Sequence, residues 1–219
     1  MVTLGIESIT QAMTAENYKF QFVAGNLALD FANTTAYRFH AEKIRDHLLT
    51  ADEIGRWVHQ ARFPTLEAID SLAPITQSGL RRVRAVREQI FALFHAIASG
   101  KAIPPAPLHH LDDALRACQA KRCLSIHRHK AHWDWRPGAG YSDFLLYPIL
   151  VSAADLLTSG HLNSVRHCAD PACGWLFLDR SNAGRRRWCT MADCGNRDKV
   201  RQHYQRKAAS VSSDAKSEN

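Results

Sequence analysis

Four cysteines near the C-terminus have the type and spacing to hold a metal ion. Cys168 and Cys173 are separated by four residues, fifteen more intervene, and Cys189 and Cys194 are again separated by four. Two close pairs at this separation suit tetrahedral Zn²⁺. Each pair sits on a tight turn that aims two thiolates at one ion, and the segment between the pairs closes the site. Four thiolates fill the tetrahedron and leave no position for water. The expected ion is therefore structural, one per chain, and not hydrolytic.

The residues around these cysteines are basic. From Arg166 to Lys207 there are ten Lys or Arg against four Asp, a net +6 of the chain's +7. Charge concentrated on a small metal-stapled module points to a polyanionic partner, and DNA is the first expectation. The candidate contacts are Arg180, Arg185, Arg186, Arg187, Arg197, Lys199 and Arg201. Phosphate contacts would supply most of the affinity, and one or two arginines could read guanine edges. Asn196 either contacts DNA or caps the last helix.

Other motifs carry less. Cys118 and Cys123 repeat the four-residue gap, but no second pair follows, so buried free thiols are expected. His127, His129 and His132 fall on a strand-like stretch and read as ordinary polar histidines rather than ligands. Asp30 and Asn33, three apart in an apolar run, read as structural polar groups. There is no P-loop, G-x-S-x-G, H-E-x-x-H or dinucleotide fingerprint, so no catalytic residue is assigned and no enzymatic activity is expected. No apolar run is long enough to span a membrane, and the first residues lack the pattern of a signal peptide. A cytoplasmic, reducing compartment is expected, with thiols rather than disulfides.

The elements that position these residues are mostly helices. Tyr18–Val23 alternates like a short strand, and Gly25-Asn26 offers a turn and a cap before an apolar helix from Leu27. Thr50 starts another helix carrying Ile54, Trp57 and Val58. Residues 76–99 form the longest candidate, with Leu80, Val83, Val86, Ile90, Leu93, Phe94 and Ile97 on one face and Arg81, Arg82, Arg84 and Arg87 opposite. Pro104, Pro105 and Pro107 separate it from a helix over 108–120. Two strand-like runs follow, 123–128 and 131–136, with Trp133 and Trp135 as hairpin or core aromatics. Tyr147–Leu157 reads as a buried helix. The last helix starts near Asn196, with Val200 and Tyr204 as its inner stripe. From 208 to 219 the composition is that of a disordered tail.

The run Cys194-Gly195-Asn196-Arg197, the two cysteine pairs, Gly174-Trp-Leu-Phe-Leu-Asp179 and Arg187-Trp-Cys189 resemble the CGNR zinc finger, over about 165–207. Phe22 to Thr34, Asp46 to Trp57 and Ser152 to Thr158 resemble the ABATE domain that usually precedes it. The resemblance implies a stress-induced bacterial transcription regulator. The expected architecture is α+β. A mainly helical domain with a small sheet (1–164) senses a small-molecule effector or forms a homodimer. A four-cysteine, zinc-ribbon-like or treble-clef-like finger (165–207) follows it. The near-neutral larger domain is expected to fold without the finger. The alternative function is a non-enzymatic protein- or RNA-interaction module using the same basic finger.

Overall fold

Asn26 starts the fold. In the computed structural model, which describes residues 18–62, 69–127 and 129–217, its side-chain oxygen accepts from Ala28 N at 2.9 Å and Leu29 N at 3.2 Å. This satisfies two of the orphan donors of helix α1 (Leu27–Ala32). All of α1 except Leu27 is buried. Asp30 accepts from Ala24 N at 2.9 Å, and burial pushes its carboxyl up to about 6.

Residues 18–23 form no strand. A side chain holds them instead: Gln60 Oε1 accepts from Phe20 N and Gln60 Nε2 donates to Tyr18 O. A two-residue ribbon, β1 (Thr35–Ala36) and β2 (Arg45–Asp46), follows α1, with Thr35 opposite Asp46. Helix α2 (Ala51–Gln60) opens on a capping box between Thr50 and Glu53.

Helix α3 (Gln77–Ala98) is the central element and buries Leu80, Val83, Val86, Ile90, Leu93 and Phe94. Arg87 departs from the expected outer face. It lies four residues after Val83, on the buried stripe, and is 2% exposed. Two of its nitrogens bond Asp46 at 2.6 and 2.8 Å, and a third bonds Glu88. Burial alone would raise Asp46, but Arg87 holds it down at about 2.

Helix α4 (Pro105–Gln119) begins earlier than the prolines suggested, because Pro is tolerated in a first turn where N–H groups have no partner anyway. Strands β3 (Arg122–His127) and β4 (Lys130–Trp135) form an antiparallel hairpin with Leu124 opposite Trp133. Trp135 stacks on Phe144 at 4.3 Å, while Trp133 is 56% exposed. Helix α5 (Tyr141–Thr158) also starts before its apolar run, at Gly140, whose N–H donates to Asp143 Oδ2. Asp143 is buried but pairs with Arg82 and Lys121, both at 2.6 Å. Buried Cys118 receives a hydrogen bond from Arg82, and Cys123 is half-buried.

The finger follows as β5 (Val165–His167) and β6 (Leu176–Leu178), an antiparallel hairpin, and then helix α6 (Asn196–Ser217). Helical backbone therefore continues beyond Lys207, into the stretch whose composition suggests disorder. The fold is α+β and mainly helical, with three two-stranded sheets among the described residues. No described helix is long and apolar enough to cross a membrane.

The finger is not a separate body. One continuous core runs from Ala24 to Cys194, and the β5–β6 hairpin packs on α1 and α3. Asn33 bridges it twice: Nδ2 donates to Leu176 O and Oδ1 accepts from Leu176 N, each at 2.8 Å. Leu178 N donates to Ala24 O, Arg38 N to Cys173 O, and Trp175 Nε1 to Thr35 O. Gly174 takes φ +75°, and a Cβ there would sit 2.9 Å from the Arg38 Cβ, so the knuckle rests directly on the ribbon loop.

These contacts argue against independent folding of the larger domain. A chain truncated after Ser164 would uncover the seats of Leu176 and Phe177, each worth about 1.5–3 kcal/mol of burial. It would also strand the buried Asn33 amide at about 1–3 kcal/mol. Against a typical stability of about 5–15 kcal/mol, that truncated chain is expected to be molten or aggregated. Calorimetry showing no cooperative unfolding would confirm it, and a sharp transition like that of the full chain would refute it.

Candidate metal centre and basic surface

The first cysteine pair sits where the β5–β6 hairpin turns. Cys168 N donates to Trp175 O at 2.8 Å, Cys173 N to Asp170 O at 3.0 Å, and Ala172 N to Asp170 Oδ1 at 3.1 Å. This knuckle leaves both thiols on its inner side. The second pair comes from a loop and a helix entry. Cys194 lies in a single wide turn, Met191–Gly195, that leads into α6. Thr190 caps that turn by accepting from Asp193 N at 3.1 Å. Ala169 N donates to Arg187 O and ties the two loops together. A knuckle opposed to a helix start is treble-clef-like rather than ribbon-like.

All four thiols are buried, and their sulfurs lie within 4.8 Å of one another. Cys173 and Cys189 sulfurs are 3.8 Å apart, Cys189 and Cys194 sulfurs 3.4 Å. A tetrahedron with Zn–S bonds of about 2.3 Å has edges of about 3.8 Å, so the set fits a zinc ion. Sulfurs this close cannot all be charged unless a cation sits among them. Hydrogen bonds from Cys173, Cys189 and Cys194 push the Cys168 thiol down. The contact with Cys168 leads those that push Cys173 and Cys189 up. A divalent ion removes that conflict.

Arg197 supports the centre from outside. Its Nη2 donates to Cys194 Sγ at 2.9 Å, Nε to Asp170 Oδ2 at 2.9 Å and Nη1 to Tyr37 Oη at 3.0 Å. Burial opposes its charge, yet Asp170 and the Cys194 sulfur raise its pKa overall. One guanidinium thus spans both halves of the site and the ribbon loop. Arg197→Ala should weaken zinc retention roughly 10–100-fold, as loss of an outer-shell partner does. Competition against a chromogenic chelator measures this. Arg197→Lys should not restore it, because an ammonium cannot make three directed bonds in one plane.

A cavity of about 270 Å³ adjoins the centre, between residues 18–21, the ribbon and the finger. Tyr18, Tyr37, His47 and Trp175 line it together with three of the cysteines. Tyr18 stacks on His47 at 3.6 Å. Burial, then Tyr37 and Asp193, pushes the Tyr18 phenol up to about 12, and burial lowers His47.

Residues 25–160 match the family described as "Putative stress-induced transcription regulator", ABATE. The chain belongs to the ABATE family. Residues 164–207 match the CGNR zinc finger. With the four-sulfur geometry, that match assigns one zinc ion to Cys168, Cys173, Cys189 and Cys194. No curated protein matches the chain.

The basic residues of this ABATE chain divide into two groups. Arg186 and Arg197 are built into the fold. Arg186 donates to the carbonyls of Trp188, Val23, Leu178 and Cys189, and its guanidinium lies 4.2 Å over the Phe177 ring. An arginine that closes four backbone carbonyls and covers an aromatic ring is not available to a phosphate. Arg201 is intermediate, 39% exposed, with Asp170 at 3.6 Å and Asp198 at 3.5 Å.

Arg180, Arg185, Arg187 and Lys199 are exposed. Arg180 donates to Gly25 O at 3.1 Å. Arg185 and Arg187 line a cleft of about 430 Å³ with Trp188 and Met191. Arg187 lies 4.8 Å over the Trp188 ring, and the buried Trp188 Nε1 has no hydrogen-bond partner among the described residues.

Val200 and Tyr204 were expected to face inward but are 54% and 67% exposed. Residues 202–207 of α6 are exposed, so their four-residue spacing marks an outer stripe. Asn196 donates to Ala192 O, a carbonyl of the preceding turn.

Asp30 and Asn33 are structural, as their bonds show. His132 bonds Ser125 on an exposed hairpin. The cysteine set is the one metal-capable group among the described residues. Sequence reading missed Asp170, Tyr37 and Trp188. Asp170 left a faint signal, as a carboxylate inside a knuckle with arginines three and seven residues after Cys194.

Proposed function

We propose that this protein is a DNA-binding transcription regulator without enzymatic activity. The zinc-stapled finger contacts the duplex, and the helical domain senses an effector or dimerises. The observation that carries the reading is the cleft flanked by Arg185 and Arg187. Two exposed guanidinium groups sit on a metal-held loop, beside a helix that presents Lys199 outward. Donors of this kind suit phosphate oxygens. Family membership as a transcription regulator supports the same reading. The cavity beside the zinc centre and the shared core give a physical route by which the helical domain can act on the finger.

The exposed Val200–Tyr204 stripe favours a second reading, a protein- or RNA-interaction module. Fluorescence anisotropy with labelled random genomic duplexes separates the two. Binding of duplex by the zinc-loaded chain at 50 mM salt is expected from about four neutralised phosphates. No duplex binding, with binding to single-stranded RNA or an acidic protein, would favour the second reading.

A further inference from the structure

A second cleft, about 550 Å³, lies between the β1–β2 ribbon and α3. Its walls carry Arg38, Arg81, Arg84 and Arg87 against Asp46 and Glu88, four positive charges against two negative. Both carboxylates are already engaged. Asp46 accepts from Arg87 at 2.6 and 2.8 Å and from Arg84 Nε at 3.0 Å. Glu88 accepts from Arg38 at 2.6 and 3.3 Å and from Arg87 Nε at 2.8 Å. The cleft therefore keeps two positive charges in excess, with Arg84 sharing Asp46 with Arg87. Arg81 and the terminal nitrogens of Arg84 bond nothing among the described residues.

Two polar atoms of the same cleft lining are buried and unpaired, Thr35 Oγ1 and Arg38 Nε. Thr35 is 4% exposed and the Arg38 side chain 8% exposed. A buried donor without a partner is costly, and such atoms mark sites completed by something else. An arginine cluster that served only to balance Asp46 and Glu88 would need neither Arg81 nor the free end of Arg84.

We propose that this cleft binds a small dianion bearing a phosphoryl group, held by Arg81, Arg84, Arg38 and Thr35. A phosphomonoester carries about two charges at neutral pH and three acceptor oxygens, which match the two excess positive charges and the guanidinium N–H groups of Arg81 and Arg84. Guanidinium forks pair with such oxygens bidentately. The site deepens the sensing half of the function proposed above. Arg38 lines the cleft with its side chain while its backbone N–H holds Cys173 O at 3.2 Å. A ligand that moves Arg38 therefore pulls on the zinc knuckle itself.

The test uses the full, zinc-loaded chain and no DNA, so failure of the DNA reading leaves its result intact. Inorganic phosphate is titrated by calorimetry at ionic strength held constant with potassium chloride, and succinate is titrated in parallel. Saturable 1:1 phosphate binding is expected, with succinate at least tenfold weaker. Replacing Arg81 and Arg84 together by Ala should weaken phosphate tenfold or more, since each charged hydrogen bond is a large part of a small ligand's affinity. Both side chains reach solvent, and zinc content and Tm verify that the variant is folded. Arg81→Lys should recover part of the loss. Absence of saturable phosphate binding at millimolar concentrations would overturn the proposal. So would unchanged affinity in the double variant, or equal binding of succinate.

Discussion

Cys173→Ser or Cys189→Ser should cost the protein its whole cooperative fold, not the finger alone. Structural zinc contributes roughly 10–16 kcal/mol of apparent binding free energy in small fingers. That is comparable to or larger than the about 5–15 kcal/mol that holds a typical domain together. If the finger were a separate bead, the loss would stay within residues 165–207. It is not separate. Leu176 and Phe177 are fully buried in the same core as Phe31, Leu93 and Phe94, and Asn33 clamps Leu176 from the helical side. Unfolding the knuckle withdraws those contacts together. Zinc removal by a strong chelator should have the same result. The expected measurement is one transition in calorimetry for the zinc-loaded chain. After chelation or mutation, near-ultraviolet circular dichroism should be lost throughout, with exposed apolar surface. A stable transition surviving from residues 25–160 would sink this view.

Sequence signals match the structure where the physics is local. Asn26, the Thr50–Glu53 box and the apolar period of α3 each act within one or two turns, and each element formed where its residues placed it. The cysteine spacing belongs to the same class, because a tetrahedral ion needs two close pairs whatever surrounds them. What failed depended on distant partners. Tyr18–Val23 has strand alternation, but its partner is the Gln60 side chain. Arg87 is charged in a row of surface arginines, yet Asp46, far away in sequence, makes burial tolerable. Val200 and Tyr204 have the spacing of an inner stripe, but no element among the described residues covers them. The expected independence of the two parts rests on the same kind of local signal. Neutral charge and helical periodicity describe what a segment can bury, whereas the bonds from Asn33, Arg38 and Thr35 decide what it buries against.

Charge counting treats Arg185, Arg186, Arg187 and Arg197 alike, but geometry does not. If Arg180, Arg185, Arg187 and Lys199 together neutralise about four phosphates, log affinity falls with log salt at a slope near −3.6. Raising salt from 50 to 200 mM then weakens binding about 150-fold, and a dimer would show about twice the slope. Arg187→Ala should reduce the slope by about one unit while leaving zinc content and Tm unchanged. Arg186→Ala should behave oppositely. It removes donors to four carbonyls and the cover of Phe177, so it should lower Tm and lose zinc. In the fraction that stays folded, the salt slope should not change. Arg201, held between Asp170 and Asp198, should contribute less than a full unit. Anisotropy titrations at four salt concentrations, on variants first checked for zinc, resolve all three cases. A full-unit drop in slope for folded Arg186→Ala, with none for Arg187→Ala, would place the duplex on a different face of the finger.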